Sequence, residues 1–303
     1  MFAIIGSIIV FGCVFGGYSV HGDLGIIWQP IEFVIILSAG IGAFFVANPK
    51  PVLVGAAKGF GTLIKGPSYN KDAYVELLGV LYSTFRLAKS KGDLALESHV
   101  ENPYESTLFS QFPKFHDDHH AVEFFCDYLR LLTLGASSPH EIEGVMNQEL
   151  ENHHNELHNV SNAFQVLADA VPALGIVAAV LGVIMTMSSI TEPPEVLGGL
   201  VVATLVGTFS GILLSYGMFA PIVASLQATY GSDAHYMMCI KVGLMGHMQG
   251  YAPQVSVEFA RKTLASHMRP TFSEVEDMTQ TLLASVQGDR GIGPWLTNPP
   301  NNR

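Results

Sequence analysis

Hydrophobic and polar residues fall into long separate blocks along this chain. Four apolar runs occupy residues 2–20, 26–47, 170–190 and 197–226. The hydrocarbon core of a bilayer is about 30 Å thick, and a helix needs about 20 apolar residues to cross it. Each run meets that length. The pattern therefore predicts an all-α, polytopic membrane protein with four transmembrane helices and a helical cytoplasmic domain.

The polar segments predict helices outside the membrane. Apolar residues recur at helical spacing in 72–91, and helices are also predicted over 121–134 and 139–168. Residues 92–120 contain Gly and Pro and predict short helices and turns. The predicted organisation is transmembrane helices 1 and 2 in 1–47, a cytoplasmic helical domain in 48–168, transmembrane helices 3 and 4 in 169–226, a cytoplasmic helical extension in 227–287 and a disordered tail in 288–303.

Positive charge sets the predicted topology. All 15 Lys and Arg residues lie within 50–130 or 241–303. The short connections 21–25 and 191–196 contain acidic residues and neither Lys nor Arg. Because basic segments near spans stay in the cytoplasm, both connections face outside and both termini face the cytoplasm.

Composition and motifs exclude several classes of function. The net charge of −11 argues against nucleic-acid binding, which requires basic surfaces. The three cysteines are isolated, so neither a disulfide framework nor a structural metal is expected. Two histidine groups lack the HExxH order of a zinc site; they are His116, His119 and His120, and His153, His154 and His158. No nucleophile–base pair or phosphate loop is present, so no enzyme, metal or cofactor is predicted.

Small residues recur at every fourth position of the last run, and we call them the small-residue ladder. They are Gly199, Ala203, Gly207, Gly211 and Ser215. This spacing lets helix backbones approach closely in lipid. Contact within this chain and contact with another copy or another protein are both consistent with the pattern.

The last two runs contain hydroxyl side chains but no Asp, Glu, Lys, Arg or His in their apolar parts. Ion movement through a membrane protein usually requires an ionisable group at depth. Glu32 and Asp169 are expected at span ends, where interfacial water would solvate them. If the chain conducts ions, a partner must supply the acid.

Two prolines and one charged segment allow both structural and functional interpretations. Pro172 fits either the first turn of a helix or a bend, and Pro221 lies within a helix, where a functional bend is favoured. Basic residues precede acidic ones at the end of the helix predicted over 72–91, as a solvated face or a docking surface. These charges include Arg86, Lys89, Lys91 and Glu97.

Several segments resemble the MotA family of flagellar stator subunits over about residues 1–285. The matching segments are WQPIEFVII at 28–36, LYSTFRLAKSKGDLALESHVENP at 81–103, DAVPALGIVAAVLGVI at 169–184, LVGTFSGILLSYGMFAP at 205–221 and GYAPQVSVEFARKTL at 250–264. The resemblance implies a scaffold around the single transmembrane helices of MotB, which carry the ion-binding aspartate. It further implies a place in the bacterial cytoplasmic (inner) membrane, five copies around two MotB chains, proton flow, and torque on the rotor protein FliG.

The resemblance also assigns roles to residues of this sequence. Pro172 and Pro221 match the prolines that couple ion flow to cytoplasmic motion, and Glu97 matches an acid that contacts the rotor, with Lys89 as its basic counterpart and Arg86 and Lys91 nearby. Sodium-driven relatives have threonine at the position of Ala179, so protons are expected. The residues expected to line the ion path are Thr204, Thr208, Ala179 and Tyr216.

Three alternatives remain at this level. One is an energy-transducing subunit of the TolQ/ExbB kind, although those relatives have three spans and lack the 81–103 segment. Another is a stator driven by sodium. The third is a membrane scaffold or metal-binding protein without ion flux.

Overall fold

The computed structural model describes residues 2–135 and 138–287. These residues form helices and connecting turns, with no strand among them. The predicted disordered tail, 288–303, lies outside the described residues. The α-helices are α1 (Phe2–Ser19), α2 (Leu24–Ile27), α3 (Pro30–Ala47), α4 (Lys50–Lys65), α5 (Lys71–Lys91), α6 (Glu97–Glu101), α7 (Pro113–His116), α8 (His119–Thr133), α9 (Pro139–Ser188), α10 (Pro194–Leu214), α11 (Ala220–Met248), α12 (Pro253–Lys262) and α13 (Phe272–Gln287).

Shorter helical turns complete the chain between these helices. A π-helical turn, Ser215–Phe219, joins α10 to α11. Three short 3-10 helices lie in the segment where the sequence predicts short helices and turns; they are Asp93–Leu96, Pro103–Glu105 and Phe109–Gln111.

Three described segments are long and apolar enough to cross a membrane. They are Leu24–Ala47, the helix Pro139–Ser188 and the continuous helical segment Pro194–Met248. Within α1, the apolar stretch Ile5–Ser19 is shorter than these three segments. The all-helical, membrane-spanning class is thus confirmed, and the count of four spans stays a prediction.

The chain divides into two compact units. The membrane unit, as we name it, comprises Met1–Pro67 and His153–Gly231, and the second unit comprises the described parts of Ser68–Asn152 and Ser232–Arg303. Residues of the predicted extension share one hydrophobic core with residues from the middle of the chain, because Tyr236 and Ile240 belong to the same buried cluster as Tyr74.

Local sequence signals set the ends of α5, which carries part of the second unit's charged surface. The Asn70 side chain accepts a hydrogen bond from the backbone N–H of Ala73 (2.9 Å), which caps the first turn. Gly92 ends the helix with φ of +85°, a conformation that glycine adopts without the steric cost of a side chain. Lys89 and Lys91 lie in the last turn, where cations interact favourably with the helix dipole.

Aromatic packing stabilises the core of the second unit. The rings of Phe109, Phe115 and Phe125 are fully buried and meet edge-to-face at centroid distances of 5.8–6.1 Å. Such pairs contribute about 0.5–1.5 kcal/mol beyond their burial. Phe85 of α5 joins this group at 6.4 Å from Phe125 and so anchors the helix that ends at Lys91.

Candidate functional site

The backbones of α9 and α10 touch in the membrane unit. A Cβ atom placed on Gly175 would lie 2.9 Å from the carbonyl oxygen of Gly207. One placed on Gly211 would lie 3.0 Å from both the Cα atom of Gly175 and the carbonyl oxygen of Val171. All of these neighbours are backbone atoms, which cannot rotate away. Glycine at these positions is what allows the two spans to pack this closely.

The small-residue ladder is divided between inner and outer positions. Gly207, Gly211 and Ser215 are buried within the membrane unit, and Ala203 is half-buried. Gly199 is exposed, and a Cβ atom there would meet no described atom within 4 Å. The three buried positions therefore contact this chain's own helices, whereas Gly199 has no such contact.

Pro172 lies well inside the 50-residue helix α9, so a place in the first turn of a helix is excluded. Proline has no N–H group, and the carbonyl of Ala168, four residues earlier, therefore loses its helical partner. The hydroxyl of Ser215 donates a hydrogen bond of 2.6 Å to that carbonyl oxygen. A residue of the ladder thus satisfies the backbone group that the proline leaves free.

The same serine begins an irregular stretch of the last span. Ser215–Phe219 form the π-helical turn, and Pro221 follows at the start of α11, in an exposed position. Single π-helical turns interrupt the regular hydrogen-bond ladder and occur often at functional sites. The hydrogen bond between Ser215 and Ala168 therefore joins two irregular places in neighbouring helices. One is the free carbonyl beside Pro172, and the other is the π-helical turn before Pro221.

The residues expected to line the ion path remain partly accessible in the membrane unit. Ala179, Thr204 and Thr208 are half-buried, and Tyr216 is 70% exposed. The hydroxyl of Thr204 donates to the carbonyl of Leu200 at 3.0 Å, so its oxygen can still accept a further bond. Three of these four side chains carry a hydroxyl group on spans that are mostly apolar.

Glu32 was expected in interfacial water at a span end; it lies in the first turn of α3, but its side chain is not open to water. It lies within Leu24–Ala47 and is only 8% exposed. Its Oε2 atom is buried and has no hydrogen-bond partner among the described residues. An ionisable residue inside the apolar run 26–47 was the available signal, because such residues are usually functional in membranes. Asp169, by contrast, is exposed and accepts a hydrogen bond from Gln165 (2.8 Å).

The second unit displays the charges expected to contact a rotor. Lys89, Lys91 and Glu97 are exposed, and Arg86 is half-buried. None of the four forms an ion pair with a described residue. Lys89 makes a long hydrogen bond of 3.4 Å to the carbonyl of Gly250. Their charge is therefore presented to solvent rather than neutralised inside the fold.

A histidine that the sequence did not single out lies beneath this surface. His247 stacks on Phe85 with ring centroids 4.8 Å apart and lies 3.4 Å from a carboxylate oxygen of Asp93. Burial lowers the pKa of His247 below its ordinary value of 6.5, and the charge of Lys89 lowers it further. Asp93 acts in the opposite direction but does not reverse the shift.

The two histidine groups do not assemble a metal site in the described part of the chain. No group of three or more His, Cys, Asp or Glu residues there has the arrangement of a metal site. His119 instead pairs with the hydroxyl of Tyr104 at 2.7 Å, and His154 stacks on His158 at 6.3 Å.

Comparison with known proteins gives a consistent family. The family model described as motility protein A N-terminal matches residues 4–92, and the MotA/TolQ/ExbB proton channel family matches 117–238. Motility protein A of Salmonella typhimurium is 40% identical over 278 residues, which cover 91% of this chain and 94% of that protein.

Solved structures share the fold at lower identity. The structure of C. jejuni MotAB is 21% identical with a TM-score of 0.72 and covers 87% of this chain and 95% of that chain. The flagellar MotAB stator complex from Bacillus subtilis is 22% identical with a TM-score of 0.63 and covers 84% and 92%. The second family model is described as a proton channel family, and the second of these structures is described as a flagellar stator complex. On the 40% identity and the two family models, this chain belongs to the motility protein A family.

Proposed function

We propose that this chain is a flagellar stator subunit that forms a proton channel with a MotB-like partner. Spans three and four pack backbone against backbone, and their apolar parts carry hydroxyl groups without a carboxylate. An ion needs an ionisable group at membrane depth. A partner helix with an aspartate, placed beside the accessible Thr208 and Tyr216, supplies it.

The proposed partner is supported by the structural relatives, and the proposed copy number rests on the family resemblance alone. The two structural relatives are MotAB complexes, which supports a MotB-like partner for this chain. Five copies around two partner helices is the arrangement implied by the family resemblance. The exposed apolar side chains of the spans, such as Ile176, Val180 and Leu205, suit contact with lipid or with further helices.

The transported ion is the proton in this proposal. Sodium must exchange its hydration shell for protein oxygens, and the methyl group of Ala179 offers none. Each elementary charge that crosses gains about 2.3 kcal/mol per 100 mV of membrane potential. The proposal includes a four-span topology with both termini in the cytoplasm and residues 48–168 facing the rotor, and the distribution of Lys and Arg supports it.

Gene deletion tests the function directly. Cells without this chain should assemble flagella that do not rotate, and rotation should return when the chain is supplied again. Cells that keep swimming but develop envelope defects would instead support a TolQ/ExbB-like role. A rotation speed that follows external sodium at fixed pH would contradict the proton assignment.

Charge reversal tests the contact with the rotor protein FliG. Lys89→Glu and Glu97→Lys should each abolish most of the torque, because like charges facing each other across an interface cost several kcal/mol. The torque losses of Arg86→Glu and Lys91→Glu show how much each of the two neighbouring cations contributes to the rotor contact. Torque is measured on tethered cells, together with the membrane level of the chain.

The matched control is Lys71→Glu at the other end of α5. Lys71 forms an exposed ion pair with Glu274 at 2.8 Å, and such pairs contribute about 0–1 kcal/mol. The control should leave torque unchanged, and a reciprocal reversal in FliG should restore torque to Lys89→Glu. Full torque in both Lys89→Glu and Glu97→Lys would exclude these residues from the rotor contact.

A further inference from the structure

Three exposed apolar residues of the second unit have no part in the proposed function so far. Tyr251, Val255 and Phe259 recur at every fourth position, at the start of α12 and along it. This spacing places them on one helix face. The rings of Tyr251 and Phe259 meet edge-to-face at 5.2 Å, so Tyr251 shares that face although it precedes the helix. We call these three residues the apolar stripe.

The apolar stripe is not needed to hold α12 in the fold. Val257 and Ala260 of the same helix are buried in the core of the second unit. The three stripe residues, by contrast, are 38–44% exposed. Contiguous exposed apolar residues often mark interaction sites, and aromatic residues are enriched at the centre of protein interfaces. The stripe therefore has the composition of a docking surface.

One end of the apolar stripe adjoins a cation expected to contact the rotor. The ammonium group of Lys89 donates a hydrogen bond of 3.4 Å to the carbonyl of Gly250, and Tyr251 is the next residue. Lys89 is exposed and forms no ion pair with a described residue. The stripe and the charged end of α5 are therefore continuous.

The other end of the apolar stripe is also positive. Lys262 follows Phe259 by three residues on the same helix face, and its side chain is 62% exposed. Glu258 lies 3.8 Å from Lys262, but it already accepts hydrogen bonds of 2.7 and 2.6 Å from Arg261. The stripe thus presents apolar side chains between two cations, Lys89 and Lys262.

We propose that the apolar stripe forms an apolar part of the rotor contact and receives a helix of FliG whose apolar face is flanked by carboxylates. Charge complementarity favours this occupant, because carboxylates at both ends would meet Lys89 and Lys262. Two copies of this chain that met stripe to stripe would instead bring cations against cations. The inference rests on the proposed stator function and adds an apolar contact to the charge contacts.

Site-directed cross-linking identifies the occupant. Val255 is replaced by the photoreactive residue benzoylphenylalanine in the full chain, which is expressed with its MotB-like partner in cells that make FliG. The control is the same replacement at Val145, an exposed valine of α9 in the second unit. Illumination should join position 255, and not position 145, to FliG, as detected with an antibody against FliG. A product that contains only copies of this chain, or no product with FliG, would overturn the inference.

Torque on tethered cells tests what the apolar contact contributes. Val255→Gln and Phe259→Gln should each lower torque by about tenfold, the effect on affinity of losing a central interface residue. Val145→Gln makes the same replacement at the control position and should leave torque unchanged. Gln254 is exposed beside Val255; Gln254→Glu should lower torque and Gln254→Lys should keep it, because the facing helix is acidic.

The remaining outcomes also decide the question. Full torque in both Val255→Gln and Phe259→Gln would overturn the apolar contact, and torque kept by Gln254→Glu but lost in Gln254→Lys would overturn the acidic partner. Membrane level is measured for each variant, and if a glutamine variant does not accumulate, the cross-link at position 255 decides. Failure of the unaltered chain to support rotation would refute the proposed function instead, so the two failures are distinguishable.

Discussion

Gly211→Ala should separate α9 from α10. The added methyl carbon would lie 3.0 Å from the Cα atom of Gly175 and from the carbonyl oxygen of Val171. Carbon atoms pack best at about 3.5–4.0 Å, so the two helices must move apart by roughly 0.5–1 Å. Both neighbours are backbone atoms, and no side-chain rotation can relieve the contact.

A matched glycine in the same helix isolates the free energy of this close contact. Overpacking of this kind costs about 1–3 kcal/mol, whereas replacing glycine by alanine inside a helix gains about 1 kcal/mol. Gly199→Ala makes the same replacement in α10 at an exposed position with no described atom within 4 Å. The propensity gain cancels between the two variants. Gly211→Ala should therefore be less stable than Gly199→Ala by the overpacking term, about 1–3 kcal/mol.

The assay is unfolding of the purified full chain in mixed detergent micelles, titrated with SDS and followed by circular dichroism. The unfolding midpoints should rank Gly199→Ala at or above the unaltered chain and Gly211→Ala below it. Rotation speed provides a second measurement, because the widened contact also changes the span that carries Thr208. Equal midpoints for the two variants would refute the backbone contact between the helices.

Two further predictions concern Pro172 and His247. Ser215→Ala leaves the Ala168 carbonyl without its 2.6 Å partner and should lower the free energy of unfolding by about 1–3 kcal/mol. The loss should be smaller in a Pro172→Ala background, because alanine restores the N–H group that can bond this carbonyl. Strictly additive losses in SDS unfolding would contradict the link between Ser215 and Pro172. Because the pKa of His247 is lowered in the folded chain, the unfolded chain binds more protons at acid pH. The contribution of His247 to the free energy of unfolding should therefore be fully present above pH 6.5 and decline as the pH falls below that value. His247→Phe can keep the stacking on Phe85 and should flatten this acid-side decline in chemical unfolding midpoints, whereas an unchanged slope would exclude His247 as its source.

Much of the fold could be predicted because its signals are local. Each of these signals depends only on residues that are close together in the sequence. They are the apolar runs long enough to cross a bilayer, the helical spacing in 72–91, and the helix ends at Asn70 and Gly92. The helix predicted over 139–168 continues to Ser188, because Pro172 is accommodated rather than ending the helix. Dense motif matches likewise identified the family without any knowledge of packing.

The candidate site depended more on contacts between distant segments. The exposure of Lys89 and Glu97 could be anticipated from polar residues at the end of a helix. The burial of Glu32 could not, because it results from the position of α3 against Gly207 of α10. The lowered pKa of His247 likewise arises from its burial, to which stacking on Phe85 contributes, and from the charge of Lys89, both far from it in sequence.

By itself, the sequence determined the helical class, the apolar segments, the distribution of charge and the family. These properties depend on composition and on spacing within single helices. Tertiary structure alone decided that Ser215 donates to the carbonyl of Ala168, which lies 47 residues earlier and is left free by Pro172. It also decided which members of the small-residue ladder touch another helix. Such contacts depend on the relative register of two helices, which a pattern of small residues allows but does not fix.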